Sequence, residues 1–218
     1  MTGLELRYTL VADGPGDRAL LPILTWLLRQ LADVGGWALV PQFFDPRPLD
    51  DPPSTLADRI ARALELFPCG ILFVHRDAET STRQDRVQEI EQALPSGAGP
   101  HVCVVPVRMT EAWLLIDQRA IRTAAGNPNG THALAMPALP TVESIPDPKH
   151  MLRSLLLQAT AFRGRRRSKF EREVSQRVQR VAELIEDFRP LRELPAFQEF
   201  EHATRCTVLK WVRNRSRG

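Results

Sequence analysis

Six side chains have the types and spacing to hold a cation and work on a phosphate ester: Asp13, Asp17, His75, Asp77, Glu79 and Glu111. Asp13 and Asp17 sit in V-A-D-G-P-G-D-R, His75, Asp77 and Glu79 alternate in H-R-D-A-E, and Glu111 stands in M-T-E-A-W. Carboxylates gathered in one cleft repel one another and raise each other's pKa unless a cation neutralises them. A hard divalent ion, Mg²⁺ or Mn²⁺, held by a few carboxylates and waters, is the usual compensation. Taken singly, each residue has a plainer explanation: Asp13 as part of a turn, Asp17 and Glu111 as favourable charges in a helix's first turn, His75 as a hydrogen-bonded strand end and Glu79 as a loop charge. Their collective placement argues for a site.

That placement depends on the elements between them. Residues 5–12 read as a β-strand running into a D-G-P-G turn, and 17–33 as a helix with Leu20, Leu24, Leu27 and Leu31 on one face. A second strand is expected over 38–44, followed by a Pro-rich loop and a helix opened by the capping sequence from Thr55 to Asp58. The apolar run 70–74 has the character of a central parallel strand. A helix over 82–94 leads to a fourth strand over 101–107, where Pro106 marks an edge or an end. Strands alternating with helices at this spacing predict an α/β fold with a mostly parallel four-stranded sheet flanked by helices. In such a sheet ligands bind at the carboxyl ends of the strands, which is where the acids fall: Asp13 and Asp17 after the first strand, His75, Asp77 and Glu79 just after the third, Glu111 after the fourth.

Beyond this α/β domain, 1–125, the Gly/Asn/Pro-rich stretch 126–148 reads as a loop or lid, and 149–218 as a basic helical extension packed on the same domain. Helices are expected over 111–117, 149–162, 170–188 and 196–204. The charge divides at the same boundary. Residues 1–147 carry 12 Lys+Arg against 18 Asp+Glu, and 148–218 carry 17 against 8, so a front of −6 meets a back of +9. Arginine supplies 26 of the 29 basic residues and suits bidentate phosphate contacts, although coding bias produces the same ratio. The densest run, Arg163, Arg165, Arg166, Arg167 and Lys169, is a candidate nucleic-acid grip, against the alternative of an exposed loop before a solvated helix. For the C-terminal tail the expectation is a packed Trp211 and a frayed basic end.

Composition excludes several classes. With 43% apolar and 25% charged residues in 218, this is neither a collagen, a disulfide framework nor a mostly disordered chain. Cys69, Cys103 and Cys206 are isolated and read as core residues in a reducing cytosol. No apolar stretch is long enough for a membrane span and no export signal opens the chain, so a cytoplasmic protein without a membrane partner is expected.

The stretches Val11 to Arg18 and Ile71 to Glu79 resemble the first and second Toprim motifs, the latter D-x-D-x-E after the third strand. M-T-E-A-W-L-L-I-D at 109–117, P-D-P-K-H-M-L at 146–152 and P-L-R-E-L-P-A-F-Q-E-F at 190–200 are similar to a bacterial Toprim-like family whose members are mostly of unknown function. The resemblance covers nearly the whole chain. It implies a Rossmann-like Toprim fold of the kind found in topoisomerases, primases, small-RNA maturases and OLD-type nucleases, where the acidic set holds Mg²⁺ for phosphodiester chemistry. By position, Asp13 stands for the usual first-motif glutamate, Asp77 and Glu79 for the second aspartate and the following glutamate, and His75 for the first aspartate. Asp13 is one methylene shorter, and a neutral imidazole brings no negative charge but suits Mn²⁺ or a softer metal.

The resemblance therefore implies a metal-dependent phosphodiesterase, a DNA or RNA nuclease of a bacterial anti-phage or DNA-metabolism system, in which Asp77 and Asp13 anchor the metal and Glu79 or Asp17 assists through water. The alternative is a catalytically degraded partner subunit that binds nucleic acid or an ABC-type ATPase without cleaving. A third reading, a flavodoxin-like phosphohydrolase or phosphoacceptor domain using Asp77, lacks a late-strand lysine, because no lysine precedes Lys149. A topoisomerase is disfavoured because the one tyrosine, Tyr8, lies inside the first strand, and a primase because no Cys/His zinc module is present.

Overall fold

The computed structural model describes residues 4–31, 33–34, 36–78 and 80–215. Its centre is a four-stranded, all-parallel sheet of β1 (Glu5–Val11), β2 (Ala38–Phe44), β3 (Ile71–His75) and β4 (His101–Val104) in the order β2-β1-β3-β4. Helices α1 (Leu20–Gln30), α2 (Leu56–Leu66) and α3 (Arg83–Ala93) make the crossovers. The chain then runs through α4 (Gln118–Ala124), α5 (Pro148–Thr160), α6 (Gly164–Leu184) and α7 (Pro195–Arg215). This is the expected α/β class in a Rossmann-like arrangement with a C-terminal helical addition.

Alternation along the strands sorts side chains to two faces. Leu6, Tyr8, Leu10, Ile71 and Phe73 join the larger core with the leucines of α1 and the apolar faces of α4 to α7. Leu72, Val74 and Val105 join a smaller core with Ile60 and Ala63 of α2 and Ile90 of α3. Helices on both faces explain why β3 reads as an unbroken apolar run. Tyr8 is fully buried, with its hydroxyl 2.5 Å from Thr25 Oγ1, and burial pushes its pKa up to about 12. It is a core residue with no route to a phosphate.

Local signals position most elements. Thr55 Oγ1 accepts from the Asp58 N–H and Thr82 Oγ1 from the Asp85 N–H, capping α2 and α3 as side-chain oxygens do at helix starts. β4 is an edge strand and ends two residues before Pro106.

Several elements differ from the sequence reading. The helix expected over 17–33 begins as a 3-10 turn, Pro15–Ala19, and becomes α-helical only at Leu20. His75 is the last residue of β3 rather than the first beyond it, because its pairing with Val104 carries the ladder one residue further. The helix expected over 111–117 is a 3-10 turn, Thr110–Leu114, and α4 follows it. Within 126–148, Leu134 and Val142 are buried, and Glu143 takes hydrogen bonds from the Trp113 indole and the Ala196 N–H, so this segment is tied to the core. Apart from Arg163, which is the N-cap, the basic run lies inside α6, which starts at Gly164 and not near Phe170. The last helix runs beyond the expected 196–204, with α7 continuing to Arg215; 216–218 of the basic end expected to fray lie outside the described residues, and Trp211 packs as expected, against Trp37 and so close to Gly70 that a Cβ there would meet the indole at 2.7 Å.

Candidate metal centre

The strand order places a topological switch between β1 and β3: the chain leaves β1 toward one edge of the sheet and leaves β3 toward the other. A crevice opens at the carboxyl ends of such neighbours. Asp17 comes from the 3-10 turn after β1, His75 from the last position of β3, and Asp77 from two residues beyond. Their donor atoms all lie within 4.8 Å of one another, and among the described residues they form a group able to hold a metal ion.

His75 fixes the geometry. Its ring is fully buried, and its Nδ1 lies 2.9 Å from the Val104 carbonyl, an acceptor only, so Nδ1 carries the proton. Nε2 then points at Asp77 Oδ1, 3.2 Å away, and Asp17 Oδ1, 3.7 Å away, with Thr110 Oγ1 at 3.3 Å. A neutral ring in this tautomer would present a lone pair to two carboxylates. The Thr110 hydroxyl is placed to donate to that lone pair, and a cation between ring and carboxylates, either a proton or a metal ion, would remove the remaining repulsion. A metal-bound histidine commonly donates its other N–H to a backbone carbonyl in this way, which locks tautomer and ring orientation.

The carboxylates are equally held. The Gly14 N–H donates to Asp17 Oδ2 at 2.9 Å and the Thr110 N–H to Asp77 Oδ1 at 3.2 Å, so Asp17 Oδ1 stays directed at His75. Burial alone disfavours a charged His75, but the hydrogen bond to Asp77 and the charge of Asp17 outweigh it and hold its pKa above the ordinary value. Burial likewise raises the pKa of Asp17, against the opposing pull of His75.

Asp17 and Asp77, with His75 buried behind them, border a cleft of about 450 Å³ lined also by Asp13, Glu111, Lys149, Arg153 and Ser175. Asp13 is beside the donor group, but its carboxylate is paired with Arg76, whose other Nη atom is 3.0 Å from Glu89. Glu111 faces the cleft without joining the group, and burial raises its pKa, with Lys149 pulling the other way. Glu79 lies outside the described residues. Arg163, Arg165, Arg166, Arg167 and Lys169 are all exposed on the first turns of α6 and do not line the cleft.

Two cations of the cleft went unassigned in the sequence reading. Lys149 and Arg153 of α5 are four residues apart and so share one face of that helix. Arg153 Nη2 donates to Ser175 Oγ at 3.3 Å, and its buried Nε has no partner among the described residues. The helical spacing of two basic residues just after the Asp147 cap was the available signal, since Lys149 stands in the quoted P-D-P-K-H-M-L stretch. Their approach to Asp77, more than seventy residues earlier, depends on tertiary packing.

A scan against protein-family models finds no match for this chain, and searches of curated proteins and of solved structures find none either. Among the described residues no helix is long and apolar enough to cross a membrane.

Proposed function

We propose that the chain is a divalent-cation-dependent phosphodiesterase acting on nucleic acid, with Asp17, His75 and Asp77 as the metal-holding residues. The observation that carries this reading is the direction of His75 Nε2: a buried ring locked by Val104 aims that nitrogen between two carboxylates. Two oxygens and one imidazole nitrogen favour Mn²⁺ over Mg²⁺, which prefers an all-oxygen shell. Such an ion would supply Lewis-acid polarisation of a phosphoryl oxygen and a bound water of lowered pKa.

The chain's own residues divide the remaining work. Lys149 and Arg153 bring positive charge to the same cleft, where they would bind non-bridging phosphate oxygens and stabilise charge developing on them. Arg153 has a planar fork suited to bidentate phosphate contact. Glu111, with its pKa raised by burial, holds a proton more readily than an ordinary glutamate and suits donation to a leaving oxygen. The three free cysteines suit a reducing compartment.

One observation favours a second reading, in which the chain binds nucleic acid or a partner ATPase without cutting. The Asp13 carboxylate, the expected first-motif acid, is committed to Arg76. Incubating metal-stripped protein with DNA and RNA in the presence of EDTA, Mg²⁺ or Mn²⁺ distinguishes the two. Cleavage that is absent in EDTA and faster with Mn²⁺ than Mg²⁺ is expected. Intact DNA and RNA with every metal would leave the binding-only reading.

A further inference from the structure

We infer that one flank of α6, carrying Arg165 and Arg172, is a track for the phosphate backbone of a nucleic-acid strand entering the cleft. This rests on the phosphodiesterase reading and extends it to the surface that guides the substrate. Residues 163–172 hold six Arg and Lys but one acid, Glu171, and Glu171 is paired with Arg167 at 3.1 Å. Because the run is helical, each charge has a fixed direction, and the run divides between two flanks.

Arg165, Ser168, Arg172 and Ser175 follow one another at intervals of three, four and three, so they form a single row along the helix. The row ends in the cleft: Ser175 lines it and accepts the hydrogen bond from Arg153. Phe170, Val174, Val178 and Val181 form the buried face beside this row. Arg166 lies on the other flank, around a separate depression with Phe162, Glu173 and Arg177, while Lys169, four residues from Arg165 and three from Arg172, stands between the two. Neither Arg165 nor Arg172 has an ion pair among the described residues. At about 1.5 Å per residue the row from Arg165 to Ser175 spans roughly 15 Å. Along the axis of a duplex, where each strand carries one charge per about 3.4 Å, that length covers about four phosphates. Guanidinium groups at the outer positions and Arg153 and Lys149 at the inner end offer donors to successive phosphates.

The test is binding of a 20-base-pair duplex and a 20-nucleotide single strand across a salt series, with Ca²⁺ replacing the catalytic metal. The double variant Arg165→Ala/Arg172→Ala is expected to lower the slope of log K against log salt by about 1.8 for duplex or about 1.4 for single strand. Arg165→Lys/Arg172→Lys should keep the slope, and Arg163→Ala/Arg166→Ala, on the other flank, should change it by less than half as much as the first pair. Equal losses from both flanks would overturn the track in favour of undirected charge, as would an unchanged slope in the first pair. A polyglutamate chain of equal charge that binds more tightly than either nucleic acid would reassign the surface to an acidic protein. Hydrolysis of a small phosphodiester such as bis(p-nitrophenyl) phosphate, too short to reach Arg165, reports the cleft alone. Failure there with an intact slope effect sinks the phosphodiesterase reading and spares the track; the reverse sinks only the track.

Discussion

Asp77→Asn is expected to lower Mn²⁺ affinity and metal-dependent cleavage together, each by more than about 100-fold. The size follows from its position. Asp77 Oδ1 is the closer of the two carboxylate oxygens to His75 Nε2 and also receives the Thr110 N–H, so one atom ties β3 to the turn after β4. Altering residues that merely orient a metal's ligands costs about 10–100-fold, and a ligand itself should cost more. Asparagine preserves shape and hydrogen bonding to Thr110, so the fold should survive, as an unchanged thermal melt would verify. Isothermal titration with Mn²⁺ and a cleavage assay on the same preparation check the prediction. A variant that cleaves normally would show that the chemistry lies elsewhere, whatever the metal does.

The second large effect is expected at Arg153. Arg153→Ala, alone or with Lys149→Ala, should reduce kcat by about 10²–10³-fold, the usual cost of removing a donor aimed at developing charge. Mn²⁺ affinity should stay within a few-fold of the unaltered protein, because neither side chain belongs to the donor group. Arg153→Lys restores the charge but not the planar fork, and only partial recovery is expected. Steady-state kinetics beside a Mn²⁺ titration separate this from a metal-binding defect. A large fall in metal affinity in Arg153→Ala would instead make Arg153 a support for Asp17 or Asp77.

How much of this was legible in the sequence follows from how local each signal is. The caps at Thr55 and Thr82 and the alternation of strand residues involve neighbours within a few positions, and the sheet followed from them. The end of β3 did not, because whether His75 belongs to the strand depends on β4, nearly thirty residues later. The first turns of α6 show no apolar period before Phe170, although arginine is a good helix former, and so they read as loop. The far end of α7 is held by Trp211 against Trp37 and Gly70, contacts between distant parts of the chain.

The site itself was half legible. Strand-end acids and the neighbouring histidine are visible as a pattern, and Asp17, His75 and Asp77 were all among them. Which of them share donors was not visible, because the 3-10 turn after β1 directs Asp17 inward while Arg76 takes Asp13. The departure at His75, a weakness of the motif on paper, becomes the best-defined feature of the site once Val104 is seen to lock its ring.

That ring also offers the most direct measurement. In Mn²⁺-loaded protein, pulsed EPR should detect one directly coordinated ¹⁴N nucleus, and the coupling should vanish in His75→Ala while Mn²⁺ binding weakens. A bound Mn²⁺ with no nitrogen coupling, or a coupling that persists in His75→Ala, would contradict the assignment of Asp17, His75 and Asp77 as the metal centre.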